Sequence, residues 1–158
     1  MVYLRPINQM DVQRIYTIKS NPLNFNKRFT KFDAGGVTLE SIKDFVSNIT
    51  NEANAVRLGI CCQENHTLVG CITIGEIDYV TSYCEIHIYI DDSYQNRGIG
   101  RRSLELLIEY INRILKLRTI SLSVHKEHLK ALHLYETLGF SVYTTGPNDD
   151  FINLRLTM

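Results

Sequence analysis

The sequence DDSYQNRGIGRRSLELLIEYI, residues 91–111, places Gly98 and Gly100 at the start of an amphipathic pattern. Apolar residues recur at helical spacing after Ile99, which predicts that a helix begins at this glycine-rich turn. The first amides of a helix have no partner within the helix, and glycines let a ligand approach them without a clash from a Cβ atom. The turn is therefore predicted to bind an anion such as a phosphate group.

Positive charge is concentrated in the same turn, at Arg97, Arg101 and Arg102. Arginines near the start of a helix oppose its dipole, at a cost of roughly 0.3–1 kcal/mol each, unless an anion lies between them. This favours a bound phosphate. The alternative is that the glycines only shape a strand-to-helix turn and the arginines are solvated.

Two well-known phosphate-binding motifs do not fit this turn. A P-loop requires a lysine after its last glycine, whereas Arg101 follows Gly100. The dinucleotide-binding fingerprint directly follows its strand, but here residues 91–97 separate the strand from Gly98. Too little chain also remains for the further parallel strands of that fold.

The whole-chain composition indicates one domain, residues 1–158, because 158 residues with 44% hydrophobic content can bury one substantial core. Lysine plus arginine and aspartate plus glutamate are equal at 17 each, so no overall field attracts nucleic acid or a membrane surface. The N-terminus is too polar for a signal peptide, and no apolar run approaches membrane-spanning length. We therefore expect a cytoplasmic protein.

Metal binding is not expected. The four cysteines lack CxxC spacing and lie in apolar, strand-like segments, where a free cysteine behaves as a small hydrophobic residue. His66 does not supply a paired ligand at short spacing. The cysteines are Cys61, Cys62, Cys71 and Cys84.

Hydrophobic periodicity predicts the element order β-α-α-β-β-β-α-β-α-β-β in one α/β unit. The predicted strands span about 2–5, 55–63, 68–76, 83–90, 119–124, 140–145 and 151–157, and the helices begin near 11, 38, 99 and 129. Residues 20–37 have no regular pattern and predict an ordered loop, and residues 146–149 predict a turn. The third helix is predicted to bury one stripe, formed by Leu104, Leu107, Ile108, Ile111, Ile114 and Leu115.

Three segments carry a family resemblance. QNRGIG at 95–100 matches the motif Q/R-x-x-G-x-G/A, ALHLYETLGF at 131–140 resembles A-x-x-L-Y-x-x-L-G-F, and YLRPINQMD at 3–11 resembles a typical opening strand and turn. Together they resemble the GNAT superfamily of acyl-CoA-dependent N-acetyltransferases. The resemblance covers nearly the whole chain and is weakest over residues 20–37.

The resemblance implies a single-domain GNAT-like α/β fold. Its mixed, mostly antiparallel sheet would splay between the fourth and fifth strands, with helices on both faces, and acetyl-CoA would be the co-substrate. The family often has asparagine where this chain has His128, whose imidazole can also donate or accept a hydrogen bond. The implied cofactor-binding residues are Ile88, Tyr89, Ile90, Gln95, Asn96, Arg97, Gly98, Ile99, Gly100, Arg101 and His128.

Acetyl transfer to an amine needs a group that protonates the departing thiolate. Tyr135 occupies the motif position that has this role in the family, and a phenol with an ordinary pKa of about 10 can donate a proton. The alternative is a packing role, because Leu134 and Leu138 lie with Tyr135 at the spacing of an apolar helix face.

The transfer also needs a base, because an alkylammonium group has an ordinary pKa near about 10.4. Strand alternation places Glu85 and His87 on one face, opposite Ile86 and Ile88. Glu85 resembles the strand glutamate that serves as base in some family members, and His87 is its rival, since imidazole titrates near neutral pH. His125 is a third candidate. A merely solvated polar face would give the same pattern.

The acceptor is the least determined feature. In the family, the segments equivalent to 20–37 and 146–150 form much of the acceptor wall. Loop carboxylates could hold a polycation, and the run HKEHLKALHLYETLGF at 125–140 resembles diamine and spermidine acetyltransferases. A protein N-terminal amine or an antibiotic amine is an alternative acceptor. The loop carboxylates are Glu76, Asp78, Asp91, Asp92, Asp149 and Asp150.

These features predict an N-acetyltransferase that transfers acetyl directly to a primary amine in a ternary complex, since no cysteine occupies a motif position that would favour an acyl-enzyme. The alternative is a non-catalytic acyl-CoA-binding sensor or interaction domain of the same fold. Homodimers are common in the family, so a homodimer is a further possibility.

Overall fold

A computed structural model describes residues 1–30, 32–145 and 149–158. Its elements follow the predicted order. The strands are β1 Val2–Pro6, β2 Val56–Cys62, β3 Leu68–Asp78, β4 Tyr83–Ile90, β5 Thr119–His125, β6 Ser141–Thr145 and β7 Phe151–Thr157. The α-helices are α1 Val12–Lys19, α2 Leu39–Asn48, α3 Ile99–Tyr110 and α4 Leu129–Thr137. Residue 31 of the predicted loop and residues 146–148 of the predicted turn lie outside the described residues.

The strands form one mixed sheet in the order β1-β2-β3-β4-β5-β7-β6. Neighbouring strands are antiparallel except for β4 and β5, which run parallel. Their register pairs extend only from Tyr83 opposite Thr119 to Glu85 opposite Ser121. Beyond these residues β4 and β5 separate, which confirms the predicted splay.

The two faces of the sheet are covered by different helices. One core cluster lies between the sheet and α3, with residues of α4 at its edge, and a second lies under α1 and α2. Ile86 and Ile88 of β4 pack toward the first cluster, whereas Tyr89 packs toward the second. The predicted alternation along β4 is therefore confirmed.

The beginning of α3 depends on a left-handed residue. Gly98 precedes the helix with φ 77°, a conformation that costs an ordinary L-residue about 1–2 kcal/mol. The amide of Arg102 then donates to the Gly98 carbonyl at 3.1 Å, which is the first helical hydrogen bond. The glycine in the motif is therefore required by backbone geometry as well as by the space a ligand would need.

The end of α3 differs from the prediction. A π turn, Ile111–Leu115, follows the α-helix, and a π turn uses more residues per revolution than an α-helix. Ile111 is fully buried, but Ile114 is 65% exposed. The prediction that Ile114 belongs to the buried stripe is wrong, because the wider turn rotates it away from the core.

The segment that connects α1 to α2 is ordered over its described part. It contains two short 3-10 turns, Pro22–Asn24 and Ala34–Gly36. Phe25 packs against Tyr89 of β4, with ring centroids 5.7 Å apart, and Phe29 stacks on His128, with centroids 4.4 Å apart. The segment therefore crosses the splay from β4 to the start of α4. Across the described ranges, no helix is both long and apolar enough to cross a membrane.

Candidate active site

The turn before α3 presents a row of unpaired amides. The side chain of Gln95 donates to the Ile90 carbonyl at 3.0 Å, which fastens the turn to the end of β4. Asn96 has a left-handed φ of 61°, and its side chain accepts a hydrogen bond from Lys130 of α4. The amides of residues 97–101 have no acceptor among the residues that the structure describes. This is the geometry of an anion site at the start of a helix.

The arginines of the turn are not equivalent. Arg101 and Arg102 both contact Glu105, at 3.2 and 3.3 Å, and Arg101 also donates to Thr137 of α4 at 2.9 Å. Arg97 has no carboxylate partner in the described part of the chain and lies over the Tyr94 ring, 5.3 Å from its centroid. The charge argument for a bound anion therefore rests mainly on Arg97.

A cavity of about 120 Å³ opens where β4 and β5 separate. Its lining comes from both faces of the sheet, because Tyr135 belongs to the α3 and α4 side and His87 projects from the opposite face of β4. The lining residues are Ile86, His87, Ile88, Leu122, Ser123 and Tyr135.

The position of Tyr135 is compatible with both roles predicted for it, packing and proton donation. Its ring packs edge-on against Phe140, with centroids 5.8 Å apart, while the residue also lines the cavity between β4 and β5. Burial raises the pKa of Tyr135. A phenol with a raised pKa stays protonated at neutral pH, so it can donate a proton to a thiolate formed in this cavity.

Glu85 and His87 are adjacent on the face of β4 that is turned away from α3. Glu85 Oε1 and His87 Nε2 are 3.5 Å apart, and their side chains are 28% and 65% exposed, respectively. Glu85 is thus the more shielded group and His87 the more accessible one. Either can reach an amine on this face.

A second cavity, of about 450 Å³, lies on the same face and shares His87 with the first. Three carboxylates line it, from Glu52, Glu76 and Glu85. Arg57 pairs with Glu52 at 2.7 Å, and this contact lowers the Glu52 pKa. Glu76 has a left-handed φ of 49° where the pairing of β3 with β4 is irregular, an unfavourable conformation for a non-glycine residue.

Sequence reasoning identified Glu76 only as one of several loop carboxylates and did not include Glu52, Arg57 or Thr73, which also lines this cavity. These three residues lie on or next to strands that no motif covers. In the sequence, each of them is only a charged or polar residue in or near a buried strand, and such a residue does not by itself indicate a site.

His125 and His128 form the turn between β5 and α4. The Nδ1 atom of His125 accepts a hydrogen bond from the Glu127 amide at 3.1 Å, so this imidazole supports the turn. The ring of His128 stacks on Phe29 with an interplanar angle of 1°. Burial lowers the His128 pKa, and electrostatic interactions with the neighbouring His125 and Lys130 lower it further. His128 is therefore held by an aromatic stack at the point where the family often has asparagine.

The predicted pantetheine-binding residues Ile88, Tyr89 and Ile90 form the unpaired end of β4 facing β5. The side chain of Tyr89 is partly buried against the second core cluster, near Cys71, and this burial raises the Tyr89 pKa. Its side chain therefore packs on the face opposite α3, and its backbone lies at the unpaired edge of β4. The four cysteines are buried and free, and within the described ranges no cluster of three or more His, Cys, Asp or Glu side chains could hold a metal ion.

Comparisons with known proteins agree with this geometry. The family model for the acetyltransferase (GNAT) domain matches residues 2–141. The spermidine N(1)-acetyltransferase of Escherichia coli K12 is 29% identical over 152 residues, which cover 96% of this chain and 79% of that protein.

Solved structures share the fold. The spermidine N-acetyltransferase of Vibrio cholerae in complex with CoA and spermine matches with a TM-score of 0.83 at 22% identity, over 99% of this chain and 95% of that chain. A dodecameric structure of the Vibrio cholerae enzyme matches with a TM-score of 0.79 at 22% identity, over 99% of this chain and 93% of that chain. The splayed sheet, the amide-rich turn and the matched family model lead to one conclusion: this chain belongs to the GNAT acetyltransferase family and is an acetyl-CoA-dependent N-acetyltransferase.

Proposed function

We propose that the acceptor of this N-acetyltransferase is a polyamine, whose primary amine receives the acetyl group directly. The observation that carries the proposal is that His87 lines both the cavity between β4 and β5 and the larger cavity that contains three carboxylates. An acceptor bound in the larger cavity would thus have one end at the site of transfer. The names of the spermidine N-acetyltransferases similar to this chain support the same class of acceptor.

Backbone groups are the proposed binding site of the cofactor. We propose that the free amides of residues 97–101 bind the pyrophosphate of acetyl-CoA and that Arg97 neutralises part of its charge. The unpaired edge of β4 at residues 88–90 would bond the pantetheine arm. In this arrangement the thioester lies in the cavity that Tyr135 lines.

The side chains around the thioester divide the proton transfers between them. Glu85 or His87 takes a proton from the ammonium group, and the neutral nitrogen attacks the thioester carbon. Backbone amides near Ile88 stabilise the oxyanion. As the C–N bond forms and the C–S bond breaks, Tyr135 donates its proton to the departing sulfur, and the nitrogen, which still carries two protons, releases one of them to solvent to give the neutral amide. Tyr135 is then reprotonated from solvent. The base sheds the proton it received.

The acidic cavity accounts for the preference for a polycation. Arg57 already neutralises Glu52, so Glu76 and Glu85 are the carboxylates of this cavity that have no arginine or lysine partner within the described residues. An extended polyamine could place its reactive amine at Glu85 and a second ammonium near Glu76. A monoamine could make only the first contact.

The test compares acceptors with the purified protein and acetyl-CoA. We expect acetylation of spermidine with a higher kcat/KM than that of propylamine, which has one amine, or of a peptide with a free N-terminus. The proposal fails if the peptide is the preferred acceptor or if no polyamine is acetylated. Comparing the pH dependence of kcat/KM for Glu85→Gln and His87→Gln then assigns the base. The variant that lacks the base should lose the rise of kcat/KM with pH that follows from its deprotonation.

We also propose that residues 1–158 form a single domain that assembles into a homo-oligomer, a homodimer or a larger assembly. The dodecameric Vibrio cholerae enzyme supports assembly in this fold. Light scattering at assay concentrations tests it, and a monomer would contradict it. A cytoplasmic location stays a prediction from the sequence.

A further inference from the structure

A partly buried ion pair joins the first helix to the residue that follows β4. The Nη2 atom of Arg14 lies 2.5 Å from Asp91 Oδ2, and Arg14 Nε donates to the Leu68 carbonyl at 2.8 Å. Asp91 is only 7% exposed. Because an unpaired charge at such a depth is costly, each partner holds the other in place.

Asp91 is also the first residue of the segment that leads to the phosphate turn, defined as residues 97–101, whose amides are proposed to bind the pyrophosphate. Its amide donates to the Val69 carbonyl at 2.7 Å, and its other carboxylate oxygen accepts from the Ser93 amide at 3.4 Å. The 3-10 turn Asp92–Tyr94 follows directly. The carboxylate of Asp91 therefore directs the chain as it leaves β4.

A second contact reinforces the first. The side-chain amide of Asn24 donates to the Ile18 carbonyl at 2.8 Å, and its oxygen accepts a hydrogen bond from the Asp92 amide. Asn24 belongs to the segment that crosses the splay, residues 20–37. The first two residues after β4 are thus held both by α1, through Arg14, and by Asn24 of the segment between α1 and α2.

We propose that Arg14 and Asp91 are a positioning pair for acetyl-CoA binding. They hold residues 91–98 so that the amides of the phosphate turn face the cofactor, and Asn24 transmits the same constraint to residues 20–37. The inference rests on the proposed placement of the pyrophosphate at this turn. Neither side chain of the pair is part of the row of amides, so both act through the backbone conformation of the turn.

The chain offers a matched control in the ion pair of Arg5 with Asp11. This pair is also arginine with aspartate, at 2.8 Å, and its side chains are 29% and 6% exposed, against 29% and 10% for Arg14 and Asp91. It closes the start of the first helical segment through the Asn8 amide, which donates to Asp11 at 2.9 Å. It makes no contact with the phosphate turn among the described residues.

The experiment measures acetyl-CoA affinity by calorimetry, and kcat and KM by steady-state assay. Arg14→Gln should raise the Kd and KM for acetyl-CoA about tenfold while kcat changes less than about threefold, since only the positioning of the turn is lost. Arg14→Lys should recover part of the affinity, because an ammonium still pairs with Asp91 but does not also reach Leu68 with the same planar fork. Arg5→Gln should lower the unfolding midpoint with the Kd within about twofold of wild type.

Equal losses of acetyl-CoA affinity in Arg14→Gln and Arg5→Gln would overturn the inference, because the pair would then act only through stability. If Arg14→Gln does not fold, Asp91→Asn replaces it, because asparagine keeps the side-chain shape. The same rise in the Kd and KM for acetyl-CoA is expected of Asp91→Asn. Gly98→Val distinguishes a failure of the positioning role from a failure of the proposed cofactor site. If it abolishes binding and the Arg14 and Asp91 variants do not weaken it, only the positioning role is wrong; if Gly98→Val binds normally, the proposed cofactor site is wrong and the inference falls with it.

Discussion

The phosphate turn and the acceptor face lie on either side of the same splayed strands but use different chemistry. The turn presents the amides of residues 97–101, whose direction is set by the left-handed Gly98 and by contacts close in sequence. The acceptor face presents side chains that β2, β3 and β4 bring together. A site made of backbone tolerates many side chains but few conformations, whereas a site made of side chains depends on charge. Substitutions should therefore act sharply in the turn and by degrees on the acceptor face.

The largest effect is expected from Gly98→Val. Valine would have to adopt φ 77°, an unfavourable conformation for a β-branched residue, so the turn where the pyrophosphate is proposed to lie would have to change shape. We expect acetyl-CoA to bind about 100-fold more weakly or not measurably by calorimetry, with a folded circular dichroism spectrum. Gly139→Ala is the matched control, since Gly139 also has a positive φ, 102°, but lies at the end of α4. Comparable loss of affinity in both variants would contradict a local role for Gly98.

Tyr135→Phe should have the next largest effect, and on a different quantity. Removing the phenol removes the proposed proton donor and leaves the ring packing against Phe140, so kcat should fall about 100-fold with the Kd for acetyl-CoA within about twofold. Tyr143→Phe is the control, because Tyr143 is 58% exposed on the edge strand β6. Unchanged turnover in Tyr135→Phe would exclude Tyr135 as the acid.

On the acceptor face, Glu76→Gln should raise the KM for spermidine about fivefold, corresponding to about 1 kcal/mol for a partly exposed ion pair. The KM for propylamine should not change, because a monoamine has no second ammonium to lose. The difference in the KM for spermidine between wild type and Glu76→Gln should become smaller at high salt, because salt screens the ion pair. Glu64→Gln, in an exposed turn, is the control. Equal changes in the KM for spermidine and in the KM for propylamine would argue against a distal ammonium site at Glu76.

The smallest effect concerns His128, which precedes α4 and stacks on Phe29. Because burial lowers its pKa, the unfolded chain binds the proton first as the pH falls, and the folded state loses stability from about pH 6.5 downward. Wild type should therefore lose stability in urea unfolding between pH 7.5 and 5.5, and His128→Asn should lose less. His133→Asn, an exposed position on α4, should keep the wild-type dependence. A His128→Asn curve that parallels wild type would contradict this.

Much of the architecture follows from local pattern. The order of the elements, the helix that starts after Gly98 and the alternation of Glu85 and His87 with Ile86 and Ile88 each depend on residues a few positions apart. The exposed Ile114 shows the limit of such reasoning, because the buried stripe assumed a constant helical period and the π turn changed it.

Local sequence thus determined the strands, the helices and the amide-rich turn, since backbone conformation and hydrophobic periodicity are properties of neighbouring residues. Only the tertiary structure brought Glu52, Glu76 and Glu85 into one cavity and paired Arg14 with Asp91 across 77 positions. No periodicity links residues so far apart, and their approach depends on sheet order and on how α1 packs against β3. The proposed cofactor site could therefore be predicted from motifs, whereas the proposed acceptor site could be identified only from the folded structure.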